Sequence, residues 1–225
     1  MVNYYLKDSF LHNEHKKNAG NKARDDAEAI LISAGYRGLA LRVENWYEMN
    51  FLKAQEHKYR AMKAAFDQLG DGDELLIQFP IIHHTFFISS LIKRAQKRGV
   101  KLYLLIHDVE TLRNSAASTV KFRHKLRNYF QEKKTFRLVN GIIVHNDTMK
   151  KVLFEQGVPM EQMVSLEIFD YLTPDFDKKT RPQKDFPIMV AGNLTPSKAG
   201  YLYALPDKPS FNLYGVGFDE SRSSM

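Results

Sequence analysis

Residues 74–108 open with Glu74-Leu75-Leu76-Ile77-Gln78-Phe79-Pro80 and close with Gly99-Val100-Lys101-Leu102-Tyr103-Leu104-Leu105-Ile106-His107-Asp108. The first run reads as a buried-type strand over Glu74 to Phe79 that Pro80 ends, because proline cannot donate to a ladder. The last reads as a second strand over Lys101 to Ile106. Between them Thr85 to Arg98 has helical periodicity and stops at Gly99. Strand, long helix and strand make a βαβ unit, which implies parallel pairing. The same alternation extends outward. Upstream lie a strand at Val2 to Leu6, a helix at Asn21 to Ala34 stopped by Gly35, a strand at Leu39 to Val43, and a helix at Phe51 to Leu69 stopped by Gly70. Downstream lie a helix at Thr119 to Val139, a strand at Ile142 to His145, a helix at Asp147 to Gln156 stopped by Gly157, and a sixth strand at Met163 to Ile168. The fold class is α/β: a parallel sheet with right-handed crossovers and helices on both faces.

Residues 1–171 are expected to form this first domain and residues 172–185 a linker, which carries Pro174, Pro182 and many charges but no apolar period. The pattern restarts in residues 186–225. A strand at Phe186 to Ala191 runs into Gly192-Asn193, and a strand at Phe211 to Tyr214 runs into Gly215-Val216-Gly217. A strand that stops at glycine lets backbone approach a ligand. Lys198, one loop further on, can reach that ligand as a point charge, which suits a diphosphate. The 42 residues from Lys184 to Met225 are fewer than the roughly 100 of an independent domain. The second domain is therefore read as an incomplete nucleotide-binding domain, with residues 1–171 the stable unit and first proteolysis expected between Thr173 and Asp185. The polar tail from Ser221 is expected to fray.

Composition bounds the chemistry. The chain has 225 residues, 44% of them hydrophobic, enough for a packed core. It has no cysteine, which excludes disulfides, thiolate zinc sites and cysteine nucleophiles. No basic region followed by an apolar one opens the sequence, so no signal peptide is read. The most apolar long window, Leu75 to Ile92, contains Gln78, Pro80, His83 and His84 and is too polar to span a bilayer. These features are compatible with a cytoplasmic protein. The net charge of +7 attracts phosphate-bearing partners without choosing among them. Its densest segment, Lys121 to Arg137, is either an ordinary amphipathic helix or a surface for anionic headgroups at the inner face of a cell membrane. No reader motif supports nucleic acid as a partner.

Polar residues directly after each strand are the candidate site, because open parallel sheets bind ligands at their carboxyl edge. His107-Asp108 follows the fourth strand; the pair either does acid–base work and grips sugar hydroxyls or is a capping Asp beside a packed His. In His145-Asn146-Asp147, one of the last two is expected to cap the following helix. His83-His84 has no carboxylate at ligand spacing and reads as a structural loop rather than a metal site. Gly20-Asn21-Lys22-Ala23-Arg24 opens a helix whose N-terminus suits an anion. It has no P-loop spacing, and no G-x-G-x-x-G follows the first strand.

Several strings in order resemble the GT-B nucleotide-sugar glycosyltransferases. Gly192-Asn193-Leu194-x-x-x-Lys198-Ala199 keeps the spacing of their G-R-L-x-x-x-K-G motif, with Asn for Arg and Ala for Gly. The closer resemblance is to bacterial β-1,6-galactofuranosyltransferases and the related glucosyltransferases that extend adhesin glycans. It rests on Asn21-Lys22-Ala23-Arg24-Asp25-Asp26, Leu105-Ile106-His107-Asp108-Val109-Glu110-Thr111-Leu112-Arg113, His145-Asn146, Ile168-Phe169-Asp170-Tyr171-Leu172 and Ala191-Gly192-Asn193-Leu194. The resemblance implies a first Rossmann-like domain that holds the acceptor and the sugar and a second that holds the nucleotide. It implies transfer of galactofuranose or glucose from a UDP-sugar to a glycan or lipid-linked glycan acceptor in cell-surface assembly. Asp108 and His107 would be catalytic, Gly192, Asn193, Lys198 and Gly215 would bind the donor, and Asn21, Lys22, His145 and Asn146 would lie on the acceptor and sugar side. No cofactor or metal is expected. Further expected partners are a membrane surface, peripherally, and a second copy of the chain. The competing reading is a non-catalytic glycosyltransferase-like subunit that binds acceptor or a partner enzyme. A nucleic-acid-binding protein and a metal phosphohydrolase are weaker alternatives.

Overall fold

Six strands form one wholly parallel sheet: β1 (Asn3–Lys7), β2 (Arg37–Ala40), β3 (Glu74–Phe79), β4 (Lys101–Ile106), β5 (Gly141–Val144) and β6 (Met163–Ser165), in the order β2-β1-β3-β4-β5-β6. The computed structural model of the chain describes residues 1–8, 22–109, 132–167, 172, 187–206 and 208–219. The chain divides into two units, Met1–Leu172 and Thr173–Met225.

In the first unit the chain lays β2 on one side of β1 and then crosses to lay β3 on the other, so strand order reverses between β1 and β3. β3 and β4 lie at the centre and pair from Glu74↔Lys101 to Phe79↔Ile106. Their continuous apolar runs follow from burial on both faces. One face carries Leu6, Leu75, Ile77, Phe79, Leu102, Leu104, Ile106, Ile142 and Val144 into the main core. Helices α2 (Phe51–Phe66), α3 (Ile88–Gln96) and α4 (Asp147–Glu155), with helical residues 132–138, supply Met62, Phe66, Leu91, Ile92, Leu153 and Phe136 to it. The other face has a smaller cluster. Tyr5, Leu76 and Leu105 meet Ala27 and Leu31 of α1 (Lys22–Ser33) there.

Rossmann-like architecture is what the alternation required. Several boundaries differ. The second strand is Arg37–Ala40, two residues earlier than expected; Leu41 still donates its N–H to Lys7 at 3.0 Å, and the chain then leaves the ladder. Leu39, Leu41 and Val43 are all buried, and their alternation reads as strand although only Leu39 is in one. The helices expected at 51–69 and 85–98 end at Phe66 and start at Ile88. The sixth strand stops at Ser165, and Glu167 turns the backbone at φ 63. Most of the basic segment 121–137 lies outside the described residues.

In the second unit β7 (Ile188–Asn193) and β8 (Phe211–Val216) form a two-stranded parallel sheet, with one turn of helix, α5 (Pro196–Ala199), after β7. Leu194, Ala199 and Leu202 are its buried centre, with Val190, Leu205, Leu213 and Phe218 against them. Contrary to expectation, β7 does not stop at Gly192 and β8 does not stop at Tyr214. The ladder continues through Gly192↔Gly215 to Asn193↔Val216. Glycine has no side chain to interrupt a ladder, so a glycine after an apolar run marks either an end or a continuation. Among the described residues no helix is long and apolar enough to cross a membrane.

Candidate functional site

The carboxyl ends of β1, β3, β4 and β5 open on one edge of the first unit, at and beside the reversal in strand order. Two polar clusters occupy that edge, one toward each face of the sheet. On the main-core side, Asp8 follows β1 directly and is buried. Its carboxylate accepts the backbone N–H of Ile82 at 2.6 Å and of His83 at 3.2 Å, and lies 2.5 Å from His83 Nδ1. Three donors converging on one carboxylate fix the loop after β3 to the end of β1. The Trp46 and His83 rings meet at right angles, 6.2 Å between centroids, and Lys58 Nζ lies 3.5 Å from the centre of the Trp46 ring. That stacking offsets part of the cost of burying Lys58.

On the α1 side the organising residue is Gln78, a polar side chain after the apolar Leu75-Leu76-Ile77 run of β3 and 3% exposed. Its Nε2 donates to the Arg24 carbonyl at 3.3 Å, and its Oε1 faces His107 Nε2 at 2.7 Å. The amide nitrogen is committed to a carbonyl, so the oxygen must accept from the imidazole. This assigns His107 the Nε2–H tautomer, with the lone pair on Nδ1. Nδ1 is shielded from solvent. The His107 pKa is lowered to about 4, first by burial, then by the Arg24 guanidinium and by His145. The ring is therefore neutral at pH 7. His145, at the end of β5, has its ring centre 6.1 Å from that of His107. Arg24 Nη2 donates to the Pro80 carbonyl, tying α1 to the same loop that Asp8 holds. Burial lowers the Arg24 pKa, against the opposing pull of Asp8, Glu28 and Asp25. Burial raises the Glu28 carboxyl, with Lys7 opposing.

Asp108 is partly buried and follows His107 on the same strand end. Lys22 lies at the start of α1, where its ammonium donates to Asp26 and, at 2.6 Å, to the Leu172 carbonyl. Asp26 in turn accepts the Leu172 N–H at 3.0 Å. Asn21 lies outside the described residues. Asn146 caps α4, its Oδ1 accepting the Met149 N–H at 2.9 Å. The edge thus brings together His107, Asp108, His145 and the start of α1, while the Asn146 oxygen serves the helix. Sequence reasoning passed over Asp8 and Gln78. The one signal for them was position: an acid directly after the first strand, and an amide in a buried apolar run.

In the second unit Gly192 and Gly215 are ladder neighbours, and a Cβ on Gly215 would sit 1.9 Å from the Gly192 carbonyl oxygen. Only glycine fits there. Gly217 has φ 83, and a Cβ on it would meet Thr195 at 2.4 Å. Asn193 Oδ1 accepts the Thr195 N–H at 3.1 Å and the Thr195 hydroxyl at 2.8 Å, an Asx-type turn. The turn leads into α5, where Lys198 is exposed. Among the described residues no group of three or more histidines and carboxylates could hold a metal ion.

A search of curated proteins found no match. Residues 3–168 match the family model described as glucosyltransferase 3-like, N-terminal domain. The matched span takes in all six strands of the first sheet and the edge that carries His107 and Asp108. It bears out the glucosyltransferase part of the resemblance, and on it the chain belongs to the glucosyltransferase 3-like family.

Proposed function

We propose that the chain serves transfer of a hexosyl group, glucose or galactofuranose, from a UDP-sugar to a hydroxyl of a glycan or lipid-linked glycan. The observation that carries this reading is the placement of Asp108 beside a neutral His107 on the carboxyl edge of a sheet that belongs to a glucosyltransferase family. Asp108 accepts the proton of the acceptor hydroxyl. The acceptor oxygen then bonds to the anomeric carbon as the bond from that carbon to the UDP oxygen breaks. His107, neutral and held by Gln78, adds no charge to this step and lines the sugar side with His145. As a separate expectation for the second unit, exposed Lys198 meets the diphosphate of UDP as a point charge. Gly192 and Gly215 keep the ladder beside the Asn193–Thr195 turn free of side chains.

Calorimetric titration with UDP, UDP-glucose and UDP-galactofuranose tests the donor half. Lys198→Ala should weaken UDP binding at least several-fold without moving the unfolding midpoint, since an exposed lysine packs little. Equal affinity in the variant rejects the assignment. Asp108→Asn should lower kcat by about 10² or more with donor affinity retained. Acceptor binding with no turnover by the parent chain, alone or with donor, would favour the non-catalytic subunit instead.

A further inference from the structure

Two loops on the carboxyl edge of the first unit, residues 41–50 after β2 and 80–87 after β3, combine with the first turn of α2 into an exposed aromatic surface. Tyr47, Phe51, Leu52, Phe86 and Phe87 all lie on it, between 43% and 77% exposed. Phe51 packs against Phe86 at 5.6 Å between ring centres, and Phe87 against Tyr59 at 5.5 Å. The surface is braced from beneath. Asp8 fixes Ile82 and His83, His83 meets Trp46, and Lys58 stacks on Trp46. Gln55 Oε1 takes the Phe86 N–H at 3.2 Å. Scattered apolar side chains on a surface need no explanation, but a contiguous aromatic group on a braced edge does.

We propose that this surface binds the apolar face of a neutral sugar ring of the acceptor glycan. The proposal rests on the glycosyl-transfer reading and names the acceptor platform within it. A pyranose or furanose presents a face of C–H groups bordered by hydroxyls. The electron-rich face of an aromatic ring takes polarised C–H groups, and rigid aromatics lose little conformational entropy on contact. The charges around the patch select against a lipid surface. Among the described residues of the two loops and the first turn of α2, exposed Arg42 and Lys53 are balanced by exposed Glu44 and Glu48, whereas docking to anionic headgroups calls for a basic border. The loops also open on the carboxyl edge of the sheet, the edge that carries Asp108.

Saturation-transfer NMR on the full chain tests this, with irradiation of the aromatic protons and methyl β-D-glucopyranoside, methyl β-D-galactofuranoside and methyl N-acetyl-β-D-glucosaminide as probes. Transfer to the ring C–H protons of at least one glycoside is expected. It should fall several-fold in the double variant Phe86→Ser, Phe87→Ser and, independently, in Phe51→Ser, each checked for an unchanged urea midpoint. No transfer to any of the three, or transfer untouched by both variants, overturns the proposal. Co-sedimentation with phosphatidylcholine–phosphatidylglycerol vesicles that both variants abolish would make the surface a lipid site and overturn it. So would a dimer in analytical ultracentrifugation that both variants dissociate. UDP calorimetry on the same samples separates the two readings. Glycoside transfer without UDP binding breaks the transferase reading and leaves the platform, and the reverse breaks the platform alone.

Discussion

His83 and His107 both follow central strands of one sheet, on loops at the same edge, yet they are built for different work. His83 faces a carboxylate 75 residues upstream, and both side chains of that pair are 3% exposed or less. His107 faces an amide 29 residues upstream and stands beside a guanidinium, at a more open position. The carboxylate can satisfy a ring proton and two backbone donors at once, so Asp8 makes an anchor. The amide has one oxygen and one nitrogen, each already assigned, so Gln78 sets an orientation. An imidazole's role is decided by the partner the fold brings to it more than by the imidazole.

Breaking the anchor should have the largest effect. Asp8→Ala strands two backbone donors and a buried ring, and should cost about 3 kcal/mol or more of stability in urea unfolding. A loss under about 1 kcal/mol would show that the loop is held elsewhere. Next comes the pH dependence that His107 brings. Its pKa is about 4 in the folded chain against 6.5 when free. Between these values the unfolded chain binds the extra proton and the folded chain does not, so stability falls as pH falls from about 6.5 through about 4. Above that window the contribution is flat. His107→Asn should flatten this slope, measured as urea midpoint against pH, while the loss below the window survives. There Asp73 titrates, its carboxyl lowered by N–H bonds from Gly70 and Val2. An unchanged slope between pH 4 and 6.5 in the variant would be fatal to a neutral His107.

Gln78→Leu should cost about 1–2 kcal/mol, because it leaves the His107 N–H and the Arg24 carbonyl without their partner. Gln78→Glu sharpens the comparison by giving His107 the kind of partner His83 has. It should raise the His107 pKa, read by NMR titration of the ring, since a nearby carboxylate favours the imidazolium. Identical titration curves would mean that Gln78 is not the partner that matters. The smallest effect belongs to Asn146→Ala, about 1 kcal/mol for the lost cap of α4. If that substitution lowers acceptor turnover without changing stability, Asn146 acts on the ligand side rather than as a cap.

The strands that could be read from sequence are those whose ends are chemically marked. β3 and β4 fall on Glu74–Phe79 and Lys101–Ile106 as expected, because Pro80 and the His107-Asp108 pair interrupt continuous apolar runs. β2 shifted because Leu41 and Val43 bury themselves in the core after the ladder has ended. β7 ran on because a glycine is silent about whether a ladder continues. In the candidate site, His107, Asp108 and His145 were legible as polar residues after strands. Asp8 and Gln78 were not, because what makes them matter is pairing across 75 and 29 positions. His83 was read as part of a structural loop, and the fold makes it one by delivering a carboxylate from the end of β1, which the local sequence does not show.

Trp46 is the chain's one tryptophan, and it lies between the Lys58 ammonium and the His83 ring, on the brace beneath the aromatic surface. The emission of a half-buried indole with these neighbours changes when they move away from it. Every opening of the loops after β2 and β3 therefore has an optical signature in the unlabelled protein. Rapid-mixing fluorescence can follow the arrival of a sugar at this edge with no dye and no substitution.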